Sequence, residues 1–270
     1  MRAKSDLVAR RTADILKVMD LLEKNQITQN GKTLILAYDH GLEHGPSEFN
    51  AQSVDPENIF KIGLEGKVTA FAVQKGIAEK YYQGSYKKIP LIVKLNGKAR
   101  IRQGEPFSPL VCSVEEAIEL GAAAVGYTIF LGSERDPEMF EIFGKVEDEA
   151  HDKGLPVIVW VYPRGKAVTD DTSPEITAYA ARTALELGAD MAKIKYCGSQ
   201  DCFSWAVKSA GRCKVVLSGG PKTENLEDFL ETIRSVMKAG AAGVAVGRNV
   251  WQNPNPMEAL SKIKEIVFAK

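Results

Sequence analysis

The stretch TALELGADMAKIKY, residues 183–196, joins the end of a predicted helix to a predicted buried strand. Gly188 stands where the helix should end, and a glycine there is typical of the left-handed backbone that closes a helix. The same order of helix, glycine and apolar run recurs at Leu120-Gly121-Ala122 and at Ala239-Gly240-Ala241. This repetition predicts that helices and strands alternate along the chain.

Eight short apolar runs are the predicted strands of this alternation. They cover residues 33–38, 70–73, 91–95, 123–130, 157–161, 191–194, 215–217 and 244–246. Helix starts are indicated between them, for example where Ser173 precedes Pro174. We therefore predict an α/β fold, in which residues 1–270 form one domain: a (β/α)8 TIM barrel over 33–268 with an extra N-terminal helix over 1–26. A doubly wound sheet is the alternative, but no GxGxxG turn follows the first strand.

Charge and composition argue against several classes of function. Lys plus Arg and Asp plus Glu both number 35, so the chain lacks the basic excess typical of nucleic-acid binding. No apolar run reaches the length of a membrane span, and the charged residues scattered through 1–24 argue against a signal peptide. We expect neither nucleic acid nor a membrane as a partner. The four cysteines lack zinc-site spacing and are predicted to be reduced thiols in a cytoplasmic protein: Cys112, Cys197, Cys202 and Cys213.

Lys193 and Lys195 are the strongest chemical signal in the sequence. Side chains alternate faces along a strand, so these two lysines project to the same side. Desolvation and like-charge repulsion both lower a lysine pKa, and two ammonium groups on one buried face therefore favour the neutral amine. A neutral lysine amine can attack a carbonyl and form a Schiff base. In the alternative, one lysine lies at the strand mouth in water and the other pairs with a carboxylate.

Polar residues follow several of the predicted strands, at the end where a TIM barrel forms its active site. They are Asp39 and His40 after the first strand, Lys94 and Asn96 at the third, Trp160, Tyr162 and Arg164 on one face of the fifth, and Lys193 and Lys195 at the sixth. Because the carboxyl ends of the strands of a barrel meet at one mouth, we expect these side chains to converge there.

The seventh and eighth strands end in SGGPKT, residues 218–223, and in Gly247-Arg248-Asn249. Glycines let backbone N–H groups approach an anion closely, and TIM barrels often hold a phosphate at these two loops. A phosphorylated ligand is therefore predicted. In the alternative, Gly219 and Gly220 only form a tight turn from strand to helix.

His40 and His44 raise the question of a metal site. The segment is not an HExxH motif, and Gly41, Gly45 and Pro46 predict a loop rather than a helix face. We interpret both histidines as polar ligands to a phosphate or hydroxyl group and predict no metal. In the alternative they are loop histidines with no role.

The motifs together resemble the archaeal-type class I fructose-1,6-bisphosphate aldolases. The resemblance covers nearly the whole chain after the N-terminal helix, in nine segments. These are LILAYDHGLEHGP at 34–46, QKGIAEKYY at 74–82, VKLNGK at 93–98, CSVEEAIELGAAAVGYTI at 112–129, VWVYPRG at 159–165, KIKY at 193–196, FSWAVKSAG at 203–211, SGGPKT at 218–223 and VGRNVWQ at 246–252. Each segment alone is modest evidence for the family, but the nine segments in this order are specific to it.

The resemblance implies a TIM barrel and a metal-independent Schiff-base mechanism that needs no cofactor. The implied reaction is the reversible cleavage of fructose 1,6-bisphosphate to dihydroxyacetone phosphate and glyceraldehyde 3-phosphate, in glycolysis and gluconeogenesis. The implied assembly is a ring-like homo-oligomer such as a decamer. The alternative is a related Schiff-base aldolase, a transaldolase-type enzyme or a thiolase of the same superfamily that acts on another sugar phosphate.

The resemblance also implies roles for individual residues. The Schiff-base lysine of the family falls on Lys193, its tyrosine proton donor on Tyr162 and its catalytic aspartate on Asp39. Its substrate and phosphate contacts fall on His40, His44, Trp160, Arg164, Lys195, Ser218, Gly219, Gly220, Gly247 and Arg248. Glu48 occupies a position where the family carries a shorter acid.

Overall fold

Eight parallel strands close into a barrel in chain order, and β8 pairs with β1, in the computed structural model, which describes residues 21–101 and 103–269. The strands are β1 (Thr33–Ala37), β2 (Ala70–Gln74), β3 (Leu91–Lys94), β4 (Ala122–Ile129), β5 (Val157–Val161), β6 (Met191–Ile194), β7 (Lys214–Ser218) and β8 (Gly243–Val246). The predicted TIM barrel is confirmed, and each strand end lies within one residue of its predicted position. Residues 1–20 of the predicted N-terminal helix lie outside the described residues.

Helices follow the strands and cover the outside of the barrel. They span His40–His44, Pro56–Glu65, Lys75–Tyr81, Val114–Glu119, Asp136–Asp152, Pro174–Glu186, Gln200–Ser209, Leu226–Lys238, Arg248–Trp251 and Pro256–Val267, with 3-10 turns at Pro46–Glu48 and Gly84–Lys88. Side-chain oxygens accept a hydrogen bond from a first-turn N–H at five helix starts: Asp55, Ser113, Ser173, Ser199 and Asn225. Each such cap contributes about 1 kcal/mol and fixes where its helix begins.

The barrel interior is filled by small and branched side chains up to a single large ring near the mouth. The interior set includes Ile35, Ala72, Ile92, Ala124, Ile158, Met191, Val216 and Ala245. Gly126 on β4 makes room for Trp160 on β5, because a Cβ atom at position 126 would lie 2.5 Å from the indole ring. The Trp160 indole therefore forms the floor of the space above it, and its burial stabilises the fold by about 3 kcal/mol.

The N-terminal end of the barrel carries a paired charge cluster of His151, Glu147 and Asp190. The Nε2 atom of His151 lies 2.9 Å from Asp190 Oδ2, and Nδ1 lies 2.7 Å from Glu147 Oε1. Asp190 also accepts a hydrogen bond from the Val157 backbone N–H at 2.7 Å, which ties the cluster to β5. Burial by itself would lower the pKa of His151, but its bonds to the two carboxylates raise that pKa to about 10. The imidazolium thus donates from both nitrogens at neutral pH.

Two local expectations from the sequence are wrong. The segment after β1, predicted as a loop, forms a helix over His40–His44 and a 3-10 turn over Pro46–Glu48. Gly45 permits this because its φ of 72° separates the two, and proline suits the first position of a turn. Cys197 and Cys202, predicted as reduced thiols, are joined by a disulfide, because the helix that begins at Gln200 brings their Cα atoms to 6.2 Å.

Cys112 and Cys213 are free and buried, as expected for reduced thiols. Within residues 21–101 and 103–269, no helix has both the length and the apolar character needed to cross a membrane.

Candidate active site

A cavity of about 420 Å³ opens at the carboxyl ends of the strands. Its lining includes all thirteen residues to which the sequence analysis assigned a role: Asp39, His40, His44, Trp160, Tyr162, Arg164, Lys193, Lys195, Ser218, Gly219, Gly220, Gly247 and Arg248. The expected convergence of polar strand ends is therefore observed, except at β3: neither Lys94 nor Asn96 lines the cavity, because the amine of Lys94 pairs with Asp39 and the amide of Asn96 donates to the backbone carbonyls of Ser108 and Thr128. The roles of the individual residues stay predictions.

Lys193 lies in the interior of the barrel at the level of Trp160. The two residues are register partners on β6 and β5, and Lys193 Nζ lies 5.0 Å from the centre of the indole ring. The side chain is only 3 % exposed, and no carboxylate of the described residues lies within 4 Å of its amine. Burial lowers the pKa of Lys193, and the nearby Arg248 adds to that effect against the opposing charges of Asp39 and Glu43. The neutral amine is thereby favoured.

Lys94 is a second buried lysine beside the same ring. It is the last residue of β3. Its Nζ atom lies 5.2 Å from the centre of the Trp160 ring and 3.3 Å from Asp39 Oδ2. Burial opposes ionisation of Asp39, but the charge of Lys94 above all holds the pKa of that carboxyl well below its usual range; Lys193 and His40 act in the same direction when they carry a proton. Asp39 is thus a carboxylate whose charge is balanced first by Lys94, which leaves Lys193 without a direct ionic partner.

Tyr162 stands two residues beyond Trp160 and faces the same cavity. Its hydroxyl lies 3.2 Å from Ser218 Oγ, which connects the ends of β5 and β7. Burial raises the pKa of Tyr162 above its usual range, and the charge of Asp39 adds to this while the bond to Ser218 opposes it. The phenol therefore keeps its proton at neutral pH and can donate it in a hydrogen bond.

His40 and His44 line the cavity on the segment after β1. Burial lowers the pKa of His40 to about 3 despite the neighbouring Asp39, so the imidazole is neutral at physiological pH. The 3.6 Å approach of His40 Nδ1 to Asp39 Oδ1 is therefore not an ion pair. The two histidine rings lie 5.6 Å apart, and the part of the chain that the structure describes contains no cluster of three or more histidine, cysteine, aspartate or glutamate residues suited to a metal ion.

The two glycine-rich loops are fastened to each other by Asn249, a residue to which the sequence analysis gave no role. Its amide donates to the carbonyls of Gly219 at 2.8 Å and Pro221 at 3.0 Å, and its side-chain oxygen accepts from the Thr223 backbone N–H at 2.9 Å. Gly247 lets the β8 loop approach His40, because a Cβ atom there would lie 2.9 Å from the ring. The two loops that the sequence predicts to bind an anion are thus held in one arrangement.

Three cations at the cavity each contact a carboxylate that sequence reasoning did not assign to them. Arg164 Nη1 lies 3.2 Å from Glu43 Oε1, and Arg248 Nη1 lies 2.9 Å from Glu48 Oε1. Lys195 pairs with Asp171, so its charge is balanced at its own site. These pairs could not be found by strand alternation, because Glu43, Glu48 and Asp171 all lie outside strands.

The sequence is similar to those of known aldolases. The model of the family described as DeoC/LacD family aldolase matches residues 33–253. The fructose-bisphosphate aldolase class 1 of Thermoproteus tenax is 52% identical over 242 residues, 89% of this chain and 91% of that protein. The protein of the same name from Halobacterium salinarum is 48% identical over 248 residues, 91% of this chain and 94% of that protein.

A solved structure of an aldolase is similar to this chain as well. The structure of an archaeal fructose-1,6-bisphosphate aldolase, with its catalytic lysine covalently bound to the carbinolamine intermediate of the substrate, is 49% identical in sequence. It superimposes with a TM-score of 0.89 over 93% of this chain and 100% of that one.

Proposed function

The chain belongs to the DeoC/LacD aldolase family, and we propose that it is a class I aldolase that reversibly cleaves fructose 1,6-bisphosphate to dihydroxyacetone phosphate and glyceraldehyde 3-phosphate. The observation that carries the proposal is the amine of Lys193, buried at the floor of the cavity without an ionic partner among the described residues. A lysine with a lowered pKa is a nucleophile toward a ketone. The identity of the substrate is inferred from the names of the relatives, which are fructose-bisphosphate aldolases.

The first stage joins the enzyme to the sugar. The neutral amine of Lys193 attacks the ketone carbon and gives a carbinolamine. Tyr162 donates the proton with which the carbinolamine hydroxyl leaves as water, and the nitrogen becomes a positively charged iminium. The Trp160 ring, 5.0 Å from the same nitrogen, favours a cation over its face and so stabilises the iminium.

The second stage breaks the bond between C3 and C4. Asp39, alone or together with Tyr162, accepts the proton of the C4 hydroxyl, and the electrons of the broken bond pass to the iminium to form an enamine. Asp39 is ionised in the cavity, so its carboxylate is free to accept that proton. Glyceraldehyde 3-phosphate leaves; protonation at C3 and hydrolysis then release dihydroxyacetone phosphate and restore Lys193.

The phosphate nearest the ketone is assigned to the loops after β7 and β8, through Ser218, Gly219, Gly220, Gly247 and Arg248. Arg164, after β5, is assigned to the distal phosphate, because it lies at the same cavity on another strand. His40, His44 and Lys195 remain for the hydroxyl groups between the phosphates. The proposal includes no cofactor, a ring-like homo-oligomer and a cytoplasmic location.

Borohydride reduction in the presence of dihydroxyacetone phosphate tests the covalent step. Peptide mapping is expected to find the reduced adduct on Lys193, and a Lys193→Arg variant to show none. An adduct on Lys94 or Lys195 would overturn the assignment of the nucleophile. Loss of activity in a metal chelator would favour a metal-dependent aldolase instead. A higher kcat/KM with another sugar phosphate would overturn the substrate while leaving the Schiff base in place.

A further inference from the structure

The segment His40–Glu48 places two carboxylates against arginines at two different edges of the cavity. It follows β1 and reaches Arg164 after β5, the strand opposite β1 in the closed barrel, through Glu43. It also reaches Arg248, after the neighbouring β8, through Glu48. These two arginines are the ones assigned above to the distal and proximal phosphates. One short segment thus contacts both.

The contacts leave part of each guanidinium group open. A guanidinium group has five N–H donors in a planar fork, so it can bind a carboxylate with one edge and an anion with another. Glu48 contacts Nη1 of Arg248 at 2.9 Å. The Nε atom of Arg248 is buried and has no hydrogen-bond partner in the described part of the chain. The described residues therefore leave one buried donor of Arg248 unsatisfied.

Glu48 contacts Arg248 from outside the ligand space. It is absent from the described residues that line the cavity, whereas Arg248 and His44 are both part of the lining. Its carboxylate lies 3.4 Å from His44 Nδ1, and its backbone carbonyl accepts a hydrogen bond from the Gln252 side chain. Glu48 is therefore placed to orient cavity residues without touching what they bind.

We propose that Glu43 and Glu48 are positioning residues that hold Arg164 and Arg248 ready for two phosphates, and that the contact between Glu43 and Arg164 thereby determines selectivity for a bisphosphate over a monophosphate. The inference rests on the proposed function. An arginine without a partner samples many rotamers, and ordering it on binding costs free energy. A carboxylate that fixes the guanidinium beforehand removes that cost from the binding step. Glu43 acts on the distal phosphate and Glu48 on the proximal one.

The test compares Glu43→Gln and Glu48→Gln with two substrates, fructose 1,6-bisphosphate and fructose 1-phosphate. Glu48→Gln is expected to raise KM for both sugars by roughly tenfold, because both carry the proximal phosphate. Glu43→Gln is expected to raise KM by a similar factor for the bisphosphate but to leave KM for fructose 1-phosphate unchanged. In both variants the plateau value of kcat should change little, because neither carboxylate touches a reacting atom; loss of the Glu43 charge, which raises the pKa of Lys193, should move only the acidic limb of kcat to lower pH. Glu138→Gln, which removes the exposed partner of Arg135, is the matched control and should change neither.

An equal rise of KM for both sugars in Glu43→Gln would show a general structural effect and overturn the inference. A fall of KM for the bisphosphate would show that the carboxylates compete with phosphate, and would overturn it too. If either glutamine variant melts at a lower temperature, Glu43→Asp and Glu48→Asp replace it; they shorten the reach of the carboxylate and should give the same substrate pattern. Failure of borohydride to label wild-type Lys193 would instead refute the proposed function.

Discussion

Charged side chains are balanced in opposite ways at the two ends of the barrel. At the N-terminal end one imidazolium, His151, lies between the carboxylates of Glu147 and Asp190, and both of its nitrogens are paired. At the C-terminal mouth two buried amines, those of Lys94 and Lys193, share the single carboxylate of Asp39, and only Lys94 contacts it. Burial alone lowers the pKa of both His151 and Lys193. The two carboxylates beside His151 reverse that shift, whereas the pKa of Lys193, whose amine contacts no carboxylate of the described residues, stays lowered.

The difference teaches how one fold separates stability from reactivity. A charge with partners on both sides stays ionised, and removing it is costly because its partners are left unpaired. A buried amine with too few partners loses its proton and becomes reactive. The following experiments test that contrast.

The largest expected effect is on turnover in Lys193→Met. The variant keeps the shape of the side chain but has no nucleophile, so aldol cleavage should fall by at least about 1,000-fold. Its melting temperature should stay the same or rise, because an amine without a direct partner has been removed from the interior.

Lys94→Met is the matched comparison for stability. It leaves the Asp39 carboxylate buried without its 3.3 Å partner and should lower the free energy of unfolding by about 3 kcal/mol, measured in urea. Equal stability losses in the two methionine variants would remove the distinction between the two lysines.

At the opposite end, His151→Gln should lower the free energy of unfolding by about 2 kcal/mol at pH 6, with little effect on kcat. The cost follows because Glu147 and Asp190 lose the cation between them. The pKa of His151 is raised in the folded state, so its contribution is full below pH 6.5 and disappears as the pH rises through about 10. The gap between variant and wild type in urea unfolding should therefore close over that interval.

Lys145→Gln controls for this effect on the same helix. It removes an ion pair with Glu141 in which both side chains are mostly exposed, so a change of less than about 0.5 kcal/mol is expected. A gap for His151→Gln that widens with rising pH would contradict the assigned imidazolium.

A smaller effect is expected between the two ends, at Gly126→Ala. The new methyl group would meet the Trp160 ring and displace it, which should cost about 1–2 kcal/mol in unfolding and roughly tenfold in kcat. Gly144→Ala is the control, because a Cβ atom there meets nothing within 4 Å on its helix, and alanine should stabilise that helix. Unchanged kcat in Gly126→Ala would show that the floor of the cavity does not position Lys193.

The smallest expected effect is a displacement of the pH profile in Arg248→Met. Arg248 helps to lower the pKa of Lys193, so loss of its charge should raise that pKa and move the acidic limb of kcat to higher pH. Arg248→Lys retains the charge and should retain the limb. A limb that moves equally in both variants would exclude this electrostatic contribution.

The sequence predicted the barrel because its strands are short apolar runs bounded by glycines and helix caps, and such patterns are local. The thirteen cavity residues could be predicted for a related reason. In a closed parallel barrel the carboxyl end of every strand leads to one mouth. Strand alternation and the family resemblance were therefore enough to predict that Lys193 and Tyr162 lie there.

The carboxylates could not be predicted in the same way. Glu43 and Glu48 depend on how the segment after β1 folds, and the glycines and proline that suggested a loop instead allow a helix and a 3-10 turn. The Cys197–Cys202 disulfide depends likewise on the path into the helix that begins at Gln200. In both cases the partner is set by the backbone path between regular elements, which carries no periodic signal.

The position of Trp160 makes its fluorescence a reporter of the proposed covalent step. Its indole lies 5.0 Å from the nitrogen of Lys193, and the conversion of a neutral amine to an iminium places a full positive charge at that distance. Of the three tryptophans, Trp205 is 62% exposed and Trp251 is buried against the Ala37 carbonyl, to which it donates a hydrogen bond. A change in blue-shifted indole emission that is lost in Trp160→Phe would therefore report each formation of the Schiff base in a stopped-flow instrument, without any added dye.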